Sequence, residues 1–214
     1  MSLESNLANL DFAKMKGRIP MVVQNADMSV RELRYCTDSK GQRDSLEKIL
    51  EKRALRYELW LEGREKLDWK YYRPYFASIA ELKYDCDGDA LLCVMRDTMP
   101  SQFSAPLGFD LSVLELRPVV VQETTSKDVL MVAYTNRLSL QNTMKTGYAS
   151  YCSRTQGGLW IKGQKSGNMQ RVENILTNQG QSAFLFQVTQ LGDGACHVTN
   201  PEGKFYWSCF YRSL

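Results

Sequence analysis

Apolar residues recur along this chain in two registers. Residues 119–122 and 129–134 are β-branched and aromatic runs on either side of the polar stretch Thr124-Thr125-Ser126-Lys127-Asp128, a pattern that predicts a β-hairpin. From 138 to 146 the apolar positions return at near-helical spacing and stop at Gly147, which predicts a short helix with a glycine terminus. Residues 158–163, 171–176 and 183–191 read as further strands. Asn200-Pro201-Glu202-Gly203 is turn chemistry, and it predicts a last hairpin whose arms carry Cys196 and Cys209.

The pattern repeats. Met21-Val22-Val23-Gln24 answers Val119-Val120-Val121-Gln122, and Arg43-Asp44-Ser45-Leu46 answers Arg137-Leu138-Ser139-Leu140. Leu59-Trp60-Leu61-Glu62-Gly63 answers Leu159-Trp160-Ile161-Lys162-Gly163. Finally, the segment opening at Asp85 answers the one opening at Asn178. One match would be chance; four in the same order at an offset near a hundred residues predict two diverged copies. The expected fold is therefore α+β: two mainly β halves with short helices, residues 1–105 and 106–214. Residues 101–108, with small residues, a proline and a glycine, are the expected link.

Composition narrows the function classes. Of 214 residues, 43% are hydrophobic and 24% charged, and the net charge of +3 is spread along the chain. That balance argues against a nucleic-acid or membrane surface and leaves anionic small molecules open as ligands. No apolar stretch approaches the ~18–20 residues of a membrane span, and the opening Met1-Ser2-Leu3-Glu4-Ser5 lacks the features of a secretory signal. The expectation is a cytoplasmic protein, whose six cysteines act as free thiols, core fillers or metal ligands rather than a disulfide framework.

Asp85-Cys86-Asp87-Gly88-Asp89 holds the densest chemistry. On an extended backbone the three carboxylates would share one side and Cys86 would face the other. Crowded carboxylates suit Mg²⁺ or Ca²⁺, and a thiolate suits Zn²⁺; the bland reading is a solvated acidic turn between two strands. The paired arms carrying Cys196 and Cys209 tip the balance. With Cys86 they make three soft ligands, one short of a closed tetrahedral zinc site, which leaves a position for water. His197 is the chain's one histidine and reads as a fourth ligand, a general base or a core residue.

These residues resemble the phosphoribosyl-AMP cyclohydrolase family of histidine biosynthesis. The resemblance runs from about Arg117 to Arg212. It rests on Tyr151-Cys152-Ser153-Arg154, Leu159-Trp160-Ile161-Lys162-Gly163, Ser166-Gly167-Asn168, Gln170, Ala195-Cys196-His197 and Ser208-Cys209-Phe210-Tyr211. This half lacks the family's acidic cysteine box, having Asn178, Gln179, Gly180 and Ser182 in its place. The box survives in the first half, which lacks the paired cysteines.

Family enzymes are homodimers with zinc at the subunit interface, so the resemblance implies a pseudo-dimer within one chain and one composite site; further oligomerisation is left open. It implies zinc on Cys86, Cys196 and Cys209 activating the water that opens the adenine ring of phosphoribosyl-AMP, and magnesium on Asp85, Asp87 and Asp89. His197 is assigned proton transfer. The phosphorylated purine nucleotide is expected to be held by Ser153, Arg154, Lys162, Gly163, Ser166 and Gly167. Trp160 reads as a base-stacking residue or, favoured because its match Trp60 persists in the half without a site, as core; Tyr151, Cys152 and Cys93 read as packing residues. Gln164-Lys165 depart from the family's usual acid and threonine. Two alternatives stand beside this reading: a non-catalytic descendant stapled by zinc, or a hydrolase of a related purine nucleotide.

Overall fold

The computed structural model describes residues 8–14, 16–38, 45–59, 73–104, 114–178 and 180–214. Its elements in chain order are β1 (Arg18–Gln24), β2 (Val30–Thr37), α1 (Leu46–Lys52), β3 (Ala54–Leu59), β4 (Arg73–Tyr84), β5 (Leu91–Met95), β6 (Phe103–Ser104), β7 (Arg117–Glu123), β8 (Val129–Thr135), α2 (Arg137–Thr146), β9 (Ser150–Cys152), β10 (Leu159–Ile161), β11 (Gln170–Asn178), β12 (Phe184–Gln190) and β13 (Arg212–Ser213). The protein is mainly β, with short helices.

Both large sheets use the same strand sequence. In the first, the order β4-β5-β1-β2 pairs β1 parallel to β5; in the second, β11-β12-β7-β8 pairs β7 parallel to β12. The irregularities coincide too. β1 slips against β2 between Val23 and Gln24, and β7 slips against β8 between Val121 and Gln122. Each sheet also borrows a short strand from beyond the other: β6 pairs with β11, and β13 pairs with β4.

The predicted hairpin is β7–β8. The predicted helix is α2, started by an Asn136–Ser139 capping box and ended by Gly147 at φ +74°, a conformation glycine adopts without strain. One sequence match does not coincide in space. Ser45 is the N-cap of α1, whereas Ser139 sits inside the first turn of α2, so Ser45 corresponds to Asn136 instead. Residues 60–63 of the Trp60 match and residues 105–108 of the expected link lie outside the described residues.

Strands β1, β5, β7 and β12 are buried on both faces, which is why they read as continuous apolar runs. Met21, Val23, Leu91 and Cys93 face a core within the first half; Val119, Val121, Phe184 and Phe186 face one within the second. The alternate residues Val22, Leu92, Val120 and Leu185 meet Val30, Val129, Phe103 and Phe210 in a third core between the sheets. Burying each of the larger side chains there contributes about 1.5–3 kcal/mol.

At the edge of this layer two buried glutamines cross the halves. Gln24 Nε2 donates to the carbonyls of Met28 (2.8 Å) and Lys127 (2.7 Å), and Gln122 Nε2 donates to the same two carbonyls at 2.7 and 2.8 Å. Met28 and Lys127 both sit at positive φ, so each turn aims its carbonyl at the shared pair. Gln24→Met or Gln122→Met alone leaves every carbonyl one donor and is expected to cost about 0.5–1.5 kcal/mol in urea unfolding. The double variant strips both carbonyls and is expected to cost more than the sum of the two.

Candidate metal centre and substrate cleft

The segment after β4 is a turn, not a strand. Gly88 at φ +71° lets its N–H reach Asp85 O at 3.2 Å, and Asp85 Oδ1 accepts from the N–H groups of Asp89 (2.9 Å) and Ala90 (3.1 Å). The expectation that Cys86 and the three carboxylates occupy opposite faces is therefore corrected. Curling the backbone brings ligand atoms of Asp85, Cys86 and Asp87 within 4.8 Å of one another. The turn after β11 is built the same way, with Asn178 Oδ1 accepting from Ser182 (2.8 Å) and Ala183 (3.3 Å). An amide there does the structural work of Asp85 without its charge.

Cys86 meets the cysteines of the second half. Ligand atoms of Cys86, Cys196 and His197 lie within 4.8 Å of one another, and Cys209 is close enough for the thiols of Cys196 and Cys86 to act on its own. The neighbouring Cys209 and Cys86 thiols push Cys196 well below an ordinary thiol. The Cys196 thiol pushes Cys86 up to about 12, and the Cys196 and Cys86 thiols raise Cys209 well above an ordinary thiol. The Val198 N–H also points at Cys196 Sγ, at 3.4 Å.

The arms between Cys196 and Cys209 pair irregularly rather than as a regular ladder. Cys196 N–H bonds Tyr206 O (3.1 Å) and Asn200 N–H bonds Lys204 O (2.8 Å) around the predicted turn, while Cys209 N–H bonds Leu130 O of β8 (2.8 Å). Arg212, lying over the rings of Tyr84 and Tyr211, donates to Cys86 O at 3.1 Å and ties the acidic turn to the second half.

His197 is not a core residue. Its side chain is 67% exposed, with Nδ1 3.8 Å from Cys86 Sγ and Nε2 3.8 Å from Asp87 Oδ1. A cleft of about 350 Å³ opens beside it. Of the residues predicted to hold substrate, Ser153, Arg154 and Lys162 line this cleft, together with Asp85, Cys86, Asp87, Asp89, His197 and Cys209. Gly163, Ser166 and Gly167 are not in its wall, and Gln164 and Lys165 share their turn outside it. Gly163 has a backbone reason instead: at φ +78°, a Cβ would stand 2.2 Å from the Asn168 carbonyl carbon.

Lys162 is buried, and burial pulls its pKa down against the pull of the three neighbouring thiols. Arg154 lies over the Tyr134 ring and donates to Asp89 Oδ2 at 2.9 Å. Burial opposes the charge on Asp89, but hydrogen bonds from Lys14 and Arg154 outweigh it and hold the carboxyl below its ordinary range.

Sequence reasoning missed Lys14 and Tyr134 and took Trp160 for a core residue. Trp160 is 37% exposed and lines the cleft, its ring 5.0 Å from that of Tyr151. Trp160 is the middle residue of the short strand β10; Lys14 carried no sequence signal. Tyr151, Cys152 and Cys93 are buried, as expected.

Residues 131–211 match the family model described as phosphoribosyl-AMP cyclohydrolase. A phosphoribosyl-AMP cyclohydrolase of Desulfotalea psychrophila is 44% identical over 108 residues, which is 50% of this chain and 80% of that protein. The protein of the same name from Archaeoglobus fulgidus is 46% identical over 99 residues, 46% of this chain and 85% of its own length. Cys86 and its aspartates lie outside the residues matched by the family model. Among the described residues, no helix is long and apolar enough to cross a membrane.

The turn yields a pH prediction. Burial and the charge of Asp89 raise Asp85 to about 7, against the two backbone N–H groups it accepts from. A carboxyl raised in the folded state weakens the fold fully above that pKa, and the penalty fades as pH falls toward the unfolded value near 4. Asp85→Asn keeps the acceptor, as Asn178 does. In chelator-treated protein it is expected to raise stability by about 1–4 kcal/mol at pH 8, with the gain shrinking away by about pH 4 in denaturant titrations.

Proposed function

Because this chain belongs to the phosphoribosyl-AMP cyclohydrolase family, we propose that it hydrolyses phosphoribosyl-AMP in histidine biosynthesis. Water is added to open the adenine ring between N1 and C6, at one site composed from both halves. The observation that carries the reading is the meeting of Cys86, before β5, with Cys196 and His197, beyond β12, beside an open cleft that Cys209 also lines.

The donor set fits zinc. Cys86, Cys196 and Cys209 would hold the ion, with His197 beside them, and three soft ligands would leave room for a water. Zinc bound there supplies a Lewis acid that makes water nucleophilic near neutral pH. Lys162 places a cation beside the thiols and favours their deprotonated form. His197, exposed between Cys86 and Asp87, is placed to move the proton that addition to an amidine carbon requires.

Trp160 offers an exposed ring at the cleft for the purine, backed by Tyr151. Arg154 and Ser153 offer donors to phosphate. Asp85 and Asp87 fit a hard cation such as magnesium through their carboxylates; Asp89 joins them once Lys14 and Arg154 release it. A closed zinc staple would need neither the cleft nor an exposed histidine beside the thiols.

The two sheets are read as diverged copies of one ancestral half. Supporting this are the shared strand order, the matched slips at Gln24 and Gln122, and the identical backbone acceptors Asp85 and Asn178. On that reading the counterpart of Cys86 is Gln179, which lies outside the described residues, and only one site keeps its thiols.

Purified protein is expected to convert phosphoribosyl-AMP and to stop when zinc is chelated. Cys86→Ser should lose the zinc and cut kcat/KM by more than about 100-fold. Gln179→Ala should change neither. A Cys86→Ser protein that retains metal and turnover would refute the composite site.

A further inference from the structure

Part of the cleft wall comes from a segment with no motif. Residues 8–14 lie across the acidic turn: the Asp11 N–H donates to Gly88 O at 2.8 Å, and Asn9 O stands 2.1 Å from where a Cβ on Gly88 would be. Only glycine allows that approach, so the turn and the segment are fitted to one another. The Lys14 N–H closes onto Asp11 Oδ1 at 2.9 Å, and the Lys14 side chain lines the cleft.

Lys14 Nζ lies 2.5 Å from Asp89 Oδ2, the same oxygen that Arg154 Nη2 contacts at 2.9 Å. One carboxylate oxygen therefore serves two cations that repel each other, with the charge of Asp87 also acting on Lys14. A phosphate, with about two negative charges and three acceptor oxygens, matches an ammonium beside a guanidinium better than a single carboxylate oxygen does. Drawing both cations onto phosphate would also free Asp89.

We propose that Lys14, paired with Arg154, forms a phosphate seat for the substrate and is a substrate-binding residue delivered by segment 8–14. This rests on the reading above that the substrate is a phosphorylated nucleotide. The seat makes the first half a contributor to substrate binding as well as to the thiol set.

The test is calorimetric binding to the zinc- and magnesium-loaded chain, independent of turnover. Adenosine monophosphate and ribose 5-phosphate, the two phosphate-bearing parts of the substrate, are each compared with adenosine and ribose. Lys14→Met is expected to weaken one of the two phosphate ligands about tenfold or more while leaving its dephosphorylated parent unchanged. It should also flatten the dependence of that affinity on salt. Lys14→Arg, which keeps the charge, should retain most of the affinity.

Equal weakening of phosphorylated and dephosphorylated ligands would mean that Lys14 only props the segment, and would overturn the proposal. Unchanged affinity for both phosphates would do the same while leaving the cyclohydrolase reading intact. A zinc-loaded wild-type chain that binds none of the probes would instead strike at that reading, and this proposal would fall with it.

Discussion

The apolar layer between the two sheets is the constraint on which the site depends. Val22, Leu92, Val120 and Leu185 project from the faces opposite their own half's core and find shelter only in one another's company. Either sheet alone would expose a strip of valine, leucine and phenylalanine, so the halves are held in one relative position by burial on the order of several side chains. The glutamine pair then fixes the register of that contact. Hydrophobic burial is non-directional, whereas four hydrogen bonds onto two carbonyls are not. With position and register set, the turn after β4 has one place to go: against Cys196, His197 and Cys209.

Chemistry and packing meet in this turn. Asp85 shapes it by accepting two backbone N–H groups, yet it is also a buried carboxyl beside two more acids. Asn178 does the same shaping in the other half with a neutral side chain. The charge at Asp85 is thus not required by the turn and costs stability in the metal-free chain. The thiol set has the same character. The neighbouring thiols pull Cys196 below an ordinary thiol and hold Cys209 above one, and metal ligands of this kind must lose their protons to bind.

The sequence made some elements legible because their signals are local. The β7–β8 hairpin follows from β-branched runs around a polar turn, and α2 from spacing and a terminal glycine. Grouping Cys86 with the last two cysteines rested on their ligand chemistry and the predicted last hairpin, and the resemblance added how the halves would bring them together. The acidic box was misjudged as extended because its conformation is set by Gly88 and by Asn9 packed on it, a contact between segments nearly eighty positions apart. Lys14 escaped for the same reason, since nothing in its neighbours announces a cleft. Trp160 was favoured as a core residue over base stacking because its match Trp60 persists in the half without a site; β10 is a short strand paired with β9 alone, which leaves the Trp160 ring partly open. The glutamines at 24 and 122 were visible as a repeat, but their shared acceptors exist only once both turns face each other.

X-ray absorption at the zinc edge tests the account's central claim most directly, because it counts the sulfurs that the two halves bring to one metal. The account predicts three sulfur neighbours at about 2.3 Å in the wild-type chain, with lighter atoms completing the shell, and two in Cys86→Ser protein examined at saturating zinc. A wild-type spectrum with two sulfurs or fewer, or a sulfur count that Cys86→Ser leaves unchanged, would contradict it.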